Sequence, residues 1–384
     1  MIPFCIKNSI LVLLLAVSTV HSNASIALKK ELLTKNLANV APTLIATGNQ
    51  VFCPGSPMKI VTNMTITDPD DTGIDAVYVQ ISSGYVNGQD LLTLTGVHPT
   101  IASNWNPSSG KLTLTGVAIQ PTYAELVAAI KDIVFTNSTL NPSGTRSFSI
   151  SVGQANYLPS NGHYYEYIPN VGITWQNAKT AAQTNTYYGL QGYLATITAV
   201  DEAQLAGAQA AGAGWIGGSD EQVEGVWKWM TGPENGTIFW NGGVNGSTPN
   251  FAFWNNGEPN NQGSENYAHI TAPGVGLLGS WNDLSNTGDT SGNYQPKGYI
   301  VEYGGMAGDP VLHISASTIV TIPTITATTP QSKCGIGSLT LQASANIGNV
   351  NWYSNAVGGV LLATGNTFVT PLLATTTTYY VDAF

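Results

Sequence analysis

The sequence predicts a multidomain, mainly β protein with an α+β domain in the middle. Its 384 residues exceed the usual size of one domain, which favours two or three. Charged residues make up only 9% of the chain and there are 42 glycines, a composition typical of strands and turns rather than of Glu/Lys-rich helices. Alternating strand patterns bounded by Gly, Asn and Pro fill both flanks, and the clearest amphipathic helices fall between them.

The N-terminus has the pattern of a secretory signal over residues 1–24. Lys7 supplies a positive charge, Ile10 to Val20 form an apolar core, and Ser22-Asn23-Ala24 places small residues at the cleavage site. A membrane anchor is the alternative, but the apolar run is shorter than the ~20 residues of a bilayer span. No later segment is apolar enough to span a membrane. We therefore expect a secreted or cell-surface protein.

The charge and the cysteine content argue against nucleic-acid binding and against a disulfide-stabilised fold. The chain has 12 Lys and Arg against 22 Asp and Glu, a net charge of -10. A basic surface for nucleic acid is therefore not expected. Of the three cysteines, Cys5 lies in the signal, and the distant Cys53 and Cys334 predict no disulfide framework.

Residues 41–155 show the alternating pattern of a β domain with one short helix. The expected strands include Val77–Ile81, Leu112–Leu114 and Phe148–Val152, and the helix covers Tyr123–Ile130. Through the Ile66–Asp70 motif and the Tyr123 segment, among others, this block resembles the cadherin-like domains of large bacterial surface proteins.

An acidic group in this block has two interpretations. It consists of Asp68, Asp70, Asp71 and Asp75. These carboxylates are either calcium ligands or a turn in which Asp side chains bond their own backbone. We favour the turn.

Residues 156–304 are richer in aromatic side chains and contain two expected helices. The first follows Thr174 and places Trp175, Ala178 and Ala182 on one face, and the second starts at Ala199. The rest consists of short strands and long loops. Four tryptophans are expected in the core or packed under loops, and two histidines are expected to be isolated structural residues: Trp215, Trp227, Trp229, Trp281, His163 and His269.

Three polar motifs in this region form a candidate calcium site. They are Glu258-Pro259-Asn260, Glu265-Asn266 and Trp281-Asn282-Asp283. Carboxylate and amide oxygens are the ligands that Ca²⁺ takes, roughly 6–8 of them at about 2.3–2.6 Å. The motifs contain no His or Cys of the kind that zinc favours. The candidate ligands are Glu258, Asn260, Glu265, Asn282 and Asp283, and the alternative is a polar loop that binds nothing.

The ordered motifs of residues 160–304 resemble the C-type lectin domain. The resemblance is carried, after the Trp175 helix, by Gly192–Ile197, Trp215–Gly218, Trp227–Trp229, Glu258–Asn260, Glu265, Trp281–Asp283 and Tyr299–Glu302. It implies an α+β fold with long loops, a cis Glu258–Pro259 bond, and a calcium ion whose open coordination positions take vicinal hydroxyls of a sugar. The same five ligands would then also bind carbohydrate. Glu-Pro-Asn implies a preference for mannose, N-acetylglucosamine or fucose over galactose.

Two departures from the family pattern affect this interpretation. The positions of its usual cysteines hold other residues, which are Ala182 and Val301 for one bridge and Tyr267 and Asn286 for the other. An accessory calcium site would be half built: Asp220 and Glu224 match, while Asn261 and Asn266 stand where carboxylates often sit. Fewer negative ligands weaken calcium affinity.

The C-terminal part returns to a β pattern. Residues 305–322 are expected to be a linker or an edge strand. Residues 323–384, with strand-like runs at Leu339–Ala343, Val350–Tyr353 and Thr378–Asp382, resemble the Ig-like modules of exported proteins from gliding bacteria. The last strand ends beside Phe384, which leaves open a continuation of the chain into a sorting or anchoring domain.

Together these features favour a calcium-dependent carbohydrate-binding adhesin. The alternatives keep the fold without a sugar ligand, as a protein-binding or ice-binding module, or as an accessory module of a larger exported protein. The sequence shows no pair of catalytic carboxylates on a suitable scaffold, no nucleophile with its base and no phosphate loop. We therefore do not expect an enzyme within these residues.

Overall fold

The computed structural model describes residues 40–139 and 142–384. The expected signal peptide, residues 1–24, lies outside the described residues. Within them, no helix is long and apolar enough to cross a membrane. Residues 42–384 form one compact unit that is rich in strands.

The N-terminal β domain consists of three sheets and one helix. A six-stranded sheet has the order β2-β21-β10-β5-β8-β7, in which β21 is Ser315–Thr321, and the domain also contains a pair β1-β4 and a three-stranded sheet β3-β9-β6. The elements before the central domain are β1 (Thr43–Thr47), β2 (Gln50–Val51), β3 (Met58–Lys59), β4 (Asn63–Thr67), β5 (Ala76–Ser83), β6 (Asp90–Leu94), β7 (Ile101–Asn106), β8 (Lys111–Gly116), α1 (Tyr123–Lys131), β9 (Ile133–Asn137) and β10 (Thr145–Ser151).

Local sequence accounts for these elements. The alternation in β5 and β10 buries one set of apolar side chains, and Phe135 contacts Phe52 and Phe148 edge to face at centroid distances of 5.0 and 5.5 Å. Helix α1 begins with a capping box in which the Glu125 amide donates to the Thr122 hydroxyl and the Thr122 amide donates to the Glu125 carboxylate. The cadherin-like assignment of this domain stays a prediction.

Strand β21 (Ser315–Thr321) completes this domain from beyond the central domain. It lies between β2 and β10, antiparallel to β10 with Ser151 opposite Ser315. From the sequence we expected residues 305–322 to be a linker or an edge strand, whereas here Ser315–Thr321 pairs with β10 along its whole length and with β2 at Val320 and Thr321. The central domain is therefore inserted between two neighbouring strands of one sheet, so both of its ends are tied to the N-terminal β domain.

The central domain, residues 156–304, is a mixed α+β structure. Its sheet runs β11-β12-β20-β15-β16-β17, with β14 also on β20 and the β18-β19 hairpin on β15. The elements are β11 (Asn156–Leu158), β12 (His163–Pro169), α2 (Trp175–Thr184), β13 (Thr186–Tyr187), β14 (Leu190–Leu194), α3 (Val200–Gln209), β15 (Ala213–Ser219), β16 (Val226–Trp229), β17 (Ile238–Asn241), β18 (Tyr267–Ile270), β19 (Trp281–Leu284), a 3-10 turn (Gly292–Tyr294) and β20 (Pro296–Tyr303).

Aromatic side chains form the core of the central domain, as the sequence predicts. The four tryptophans expected to be buried are each at most 2% exposed. Trp229 stacks on Phe239 at 4.2 Å, and Trp281 meets both rings edge to face. Reciprocal indole bonds of 2.8 Å, from Trp175 to the Ile216 carbonyl and from Trp215 to the Ile173 carbonyl, hold the segment around α2 against β15.

The positions that lack the family's cysteines are held in other ways. Tyr267 packs on Trp175 at 4.7 Å, and its hydroxyl accepts a 2.6 Å bond from the Gln176 amide. The Asn286 carbonyl accepts from the Trp175 amide at 3.0 Å. Residues Trp175 and Gln176 of α2 therefore hold Tyr267 and Asn286, the two positions that one bridge of the family would join directly.

The C-terminal domain is a small sandwich of two three-stranded sheets, β22-β23-β26 and β25-β24-β27. Its core is formed by Ala343, Val350, Trp352 and Phe368. Cys53 and Cys334 are free and exposed. The strands are β22 (Ile325–Thr329), β23 (Thr340–Ala345), β24 (Val350–Tyr353), β25 (Leu361–Thr364), β26 (Thr367–Val369) and β27 (Tyr380–Ala383).

Candidate functional site

Strand β19 positions the candidate calcium site. Trp281, which is fully buried, exchanges backbone hydrogen bonds with the preceding loop: its amide donates to Phe253 at 2.9 Å and its carbonyl accepts from Asn255 at 2.7 Å. This pairing fixes the loop that carries Glu258 beside the strand that carries Asp283. The tryptophan of the Trp-Asn-Asp motif thus anchors the site without being a ligand.

Asp283 is the centre of the arrangement. Its carboxylate is fully buried and accepts the backbone amides of Asn260 at 3.1 Å and Asn261 at 2.9 Å, one on each oxygen. The intervening Glu258–Pro259 peptide bond is cis, as the resemblance implied. The structure therefore brings the Glu-Pro-Asn and Trp-Asn-Asp motifs into direct contact.

The loop after Asn260 closes on itself. The Gln262 amide donates to Asn260 Oδ1 at 2.8 Å and to Glu265 Oε2 at 3.0 Å, and the Glu265 amide donates to Asn261 Oδ1 at 2.8 Å. These bonds draw the Glu265 carboxylate back toward Asn260. All five residues singled out in the sequence therefore lie on β19 or on one loop beside it.

Two oxygens of this group are buried without a hydrogen-bond partner among the described residues. They are Glu258 Oε2 and Asn282 Oδ1. The Asn282 amide nitrogen donates to the Asp283 carbonyl at 3.1 Å, which leaves its oxygen directed elsewhere. An unpartnered buried acceptor costs about 1–3 kcal/mol. Such a pair suits a ligand that supplies positive charge.

Electrostatics support the same interpretation. Burial, and then the charge of Asp283, raise the pKa of Glu258 to about 7. The same two causes, in the same order, raise the pKa of Glu265 to about 7. Three acids therefore crowd one half-buried place without a cationic side chain bonded to any of them among the described residues. Carboxylate and amide oxygens at a site of excess negative charge fit Ca²⁺.

Asp220 and Glu224 border this group. Asp220 Oδ2 accepts the Gly225 amide at 2.9 Å, whereas its Oδ1 is buried without a partner in the described chain. Burial raises the pKa of Asp220 to about 6, with added repulsion from Glu224 and Asp283. Glu224 accepts a 2.6 Å bond from the Asn261 side chain. Asn261, which we did not predict to be a site residue, therefore links Glu224 to the Glu265 loop.

The other acidic group belongs to the N-terminal β domain. Asp68, Asp70 and Asp71 have carboxylate oxygens within 4.8 Å of one another. Asp68 Oδ1 accepts the amides of Asp70 and Asp71 at 3.1 and 3.0 Å, and Asp68 Oδ2 accepts the Tyr123 hydroxyl at 2.7 Å. These bonds are those of the acidic turn favoured from the sequence.

A second buried acidic network lies elsewhere in the central domain. Glu302 accepts from His163 Nδ1 at 2.6 Å, the Tyr165 hydroxyl at 2.9 Å and the Thr196 amide at 2.9 Å. The same Tyr165 hydroxyl also contacts Glu202, so its one hydrogen is shared between the two carboxylates. The expectation that His163 is isolated was therefore wrong, because β12 and β20 are neighbours in space although far apart in sequence.

This network predicts that acidification stabilises the calcium-free protein. Burial, and then repulsion from Glu302, raise the pKa of Glu202 to about 7. The folded state binds that proton more tightly than the unfolded chain, whose glutamate pKa is about 4.3. Stability is therefore lost as pH rises through about 7. The pKa of His163 is also raised because, although burial opposes it, Glu302 favours the charged ring, and this acts in the same direction.

Thermal melts of the Glu202→Gln variant test this expectation. In EGTA we expect the wild-type melting temperature to fall between pH 5 and pH 8, and the variant to show a shallower fall. The loss of one titrating proton reduces the slope of the unfolding free energy against pH by up to about 1.4 kcal/mol per pH unit. Equal pH slopes for the two proteins would contradict this assignment.

Parts of the chain are similar to known proteins. Residues 321–384 match the family described as Ig-like domain, CHU_C associated. The chain is 34% identical to halomucin of Haloquadratum walsbyi over 299 residues, 74% of this chain and 3% of that protein. It is 37% identical to hepatic lectin of Gallus gallus over 71 residues, 18% of this chain and 26% of the relative.

The chain is also similar to C-type lectin domain family 4 member M of Gorilla gorilla gorilla. That match is 30% identical over 121 residues, 30% of this chain and 26% of the relative. The C-terminal domain is Ig-like, and the chain contains a lectin-like module. The C-type lectin domain in the name of that relative is the domain that the motifs of residues 160–304 resemble. The chain spans only a small part of each of these relatives.

Proposed function

We propose that the central domain binds Ca²⁺ through Glu258, Asn260, Glu265, Asn282 and Asp283, and binds a sugar through that ion. The observation that supports this most directly is the pair of buried, unpartnered oxygens, Glu258 Oε2 and Asn282 Oδ1, beside mutually repelling carboxylates. A bound calcium ion would neutralise the acids and offer open coordination positions to two hydroxyls. The hydrogen bonds from the Asn260 and Asn261 amides to Asp283 hold the loop, and with it these oxygens, in place before the ligand binds.

The donor set also defines how a sugar would be oriented. Each hydroxyl has one hydrogen to donate and lone pairs to accept with. Glu258 and Asp283 accept a hydroxyl hydrogen, while the amides of Asn260 and Asn282 donate to a hydroxyl oxygen. Each of two neighbouring hydroxyls can therefore donate to one acid and accept from one amide, with Glu258 and Asn260 serving one hydroxyl and Asp283 and Asn282 the other.

In the wider proposal, the protein is a secreted or surface adhesin that recognises glycans. The CHU_C-associated Ig-like domain and the similarity to halomucin support an exported protein. The alternative is a calcium-dependent protein-binding or accessory module. A glycan array probed with and without EGTA separates the two, because only the adhesin predicts array binding that EGTA removes.

We expect mannose, N-acetylglucosamine or fucose to compete for the site better than galactose. The Glu-Pro-Asn motif implies this preference by resemblance, and the axial 4-hydroxyl of galactose does not fit the equatorial pair that mannose and N-acetylglucosamine present at positions 3 and 4. Competition assays on the immobilised array ligand measure the order. Galactose winning over mannose, or no monosaccharide competing at high concentration, would favour the protein-binding alternative.

Exchanging the motif provides the matched test. The double variant Glu258→Gln with Asn260→Asp keeps one acid and one amide but reverses their order along the loop. We expect its preference to move toward galactose while binding remains calcium-dependent. A variant that retains the mannose order would show that contacts beyond the ion decide specificity.

A further inference from the structure

The surface of the N-terminal β domain contains a solvent-open cavity of about 370 Å³ that the calcium site does not involve. Its lining includes Tyr85, Gln89, Leu91, Trp105 and Ser138, from β6, β7 and the loops beside them. This volume falls within the usual range for small-molecule sites, about 300–1,000 Å³. The cavity is therefore large enough for one sugar ring.

Two aromatic rings belong to the lining. Tyr85 and Trp105 are arranged edge to face, with centroids 6.1 Å apart and planes at 77°. The Tyr85 hydroxyl donates to the Pro107 carbonyl at 2.5 Å, which fixes that ring. Trp105 is half-buried on β7, at the end of the six-stranded sheet, where most neighbouring side chains are exposed. Trp105 is therefore a large, partly exposed aromatic side chain on a strand whose other exposed side chains are small or polar.

The charged group in the lining is neutralised within the protein. Asp90 is fully buried and accepts from Arg146 Nε at 2.7 Å, the Asn137 side chain at 2.6 Å and the Val86 amide at 2.8 Å. The Gln89 side-chain amide and the Trp105 indole N–H make no hydrogen bond to the described residues. The cavity thus combines apolar rings with neutral donors and an acceptor that are available to a ligand.

We propose that this cavity binds a ring of a neutral polysaccharide without calcium. A pyranose has an apolar C–H face that can lie on an aromatic ring and a rim of hydroxyls that can bond to a side-chain amide. A charged ligand would find no free counter-charge here, and a purely apolar ligand would cover Gln89 without replacing its bonds to water.

The test uses the full chain in EGTA. A panel of neutral polysaccharides on an array, with cellohexaose, mannohexaose and xylohexaose in solution titrations, measures calcium-independent binding. We expect at least one to bind the wild type and the Asp283→Ala variant equally, since the cavity does not require the calcium site. Trp105→Ala is expected to weaken this binding about tenfold or more, and Trp105→Phe by less than about threefold, because an aromatic face remains.

Two further variants complete the design. Gln89→Ala leaves both rings in place and is expected to weaken binding, and Tyr380→Ala, an exposed aromatic position in the Ig-like domain, is expected to leave it unchanged. Unaltered melting of each variant shows that the fold is intact. Absence of binding to every polysaccharide in EGTA, full binding by Trp105→Ala, or binding of proline-rich peptides instead of saccharides would overturn the proposal. None of these outcomes would affect the calcium site, which is tested separately with calcium present.

Discussion

Removing calcium is expected to lower the melting temperature of the central domain by about 5–10 °C. Without the ion, Glu258, Glu265 and Asp283 repel one another, and two buried oxygens stay unpartnered. An ion bound only to the folded state at a hundredfold excess over its Kd adds about 2.7 kcal/mol. For a domain of this size, each kcal/mol shifts the melting temperature by about 2–4 °C. Differential scanning calorimetry with calcium and with EGTA measures the shift.

Magnesium provides the matched control for this experiment. It demands octahedral geometry and retains its waters, so it is expected to stabilise the domain much less than calcium. Melts in calcium and EGTA that superimpose would show that the five oxygen donors do not form a calcium site. The Ig-like domain lacks these ligands, and any transition that belongs to it is expected to be insensitive to EGTA.

Replacing Asp283 or Glu258 by alanine is expected to abolish calcium binding and, with it, the calcium-dependent sugar binding of the central domain. Asp283 holds the amides of Asn260 and Asn261, so its loss removes a ligand and releases the loop that carries Glu258. Glu258 supplies an oxygen that no described residue satisfies. Isothermal titration with calcium, followed by array binding, measures the two losses separately.

Substitution of Asp220 distinguishes the main calcium site from the accessory site, for which only Asp220 and Glu224 of the expected ligands are present. Asp220→Asn is expected to weaken calcium binding only modestly, since Asp220 already accepts the Gly225 amide and borders the proposed ligands. Asp70→Ala, in the other acidic group, serves as the matched control and is expected to leave calcium binding of the central domain unchanged. If Asp220→Asn were as damaging as Asp283→Ala, the main ion would lie closer to Asp220 than proposed.

Local patterns in the sequence predicted the elements well where the relevant residues are neighbours. The helix after Thr174 forms with Thr174 as its N-cap, and the second expected helix extends to Gln209, with Glu202 bonded back to the amide of Ala199. Burial of the four tryptophans followed from their size and apolar character. The composition of the Glu-Pro-Asn and Trp-Asn-Asp motifs likewise indicated oxygen ligands, although their role in calcium binding stays a prediction.

Contacts between distant segments could not be predicted in this way. The sequence of Ser315–Thr321 is alternating and unremarkable in itself, and only its pairing with β10 shows that the central domain is inserted into the N-terminal sheet. The residues on either side of His163 in the sequence are uncharged, and its partner Glu302 lies on an adjacent strand far along the chain. The cavity beside Trp105 likewise depends on loops that join only after folding.

The sequence by itself therefore determined the mainly β fold class with its lectin-like and Ig-like modules, and the residue types of the candidate calcium site. Those features depend on residue type and on spacing within a few residues, and both are visible in the periodicity and the order of motifs in the sequence. The tertiary structure decided which oxygens are buried without partners, which acids repel one another, and how the domains are connected. These properties depend on burial and on distances between side chains far apart in the chain, and they arise only when the sheets are assembled.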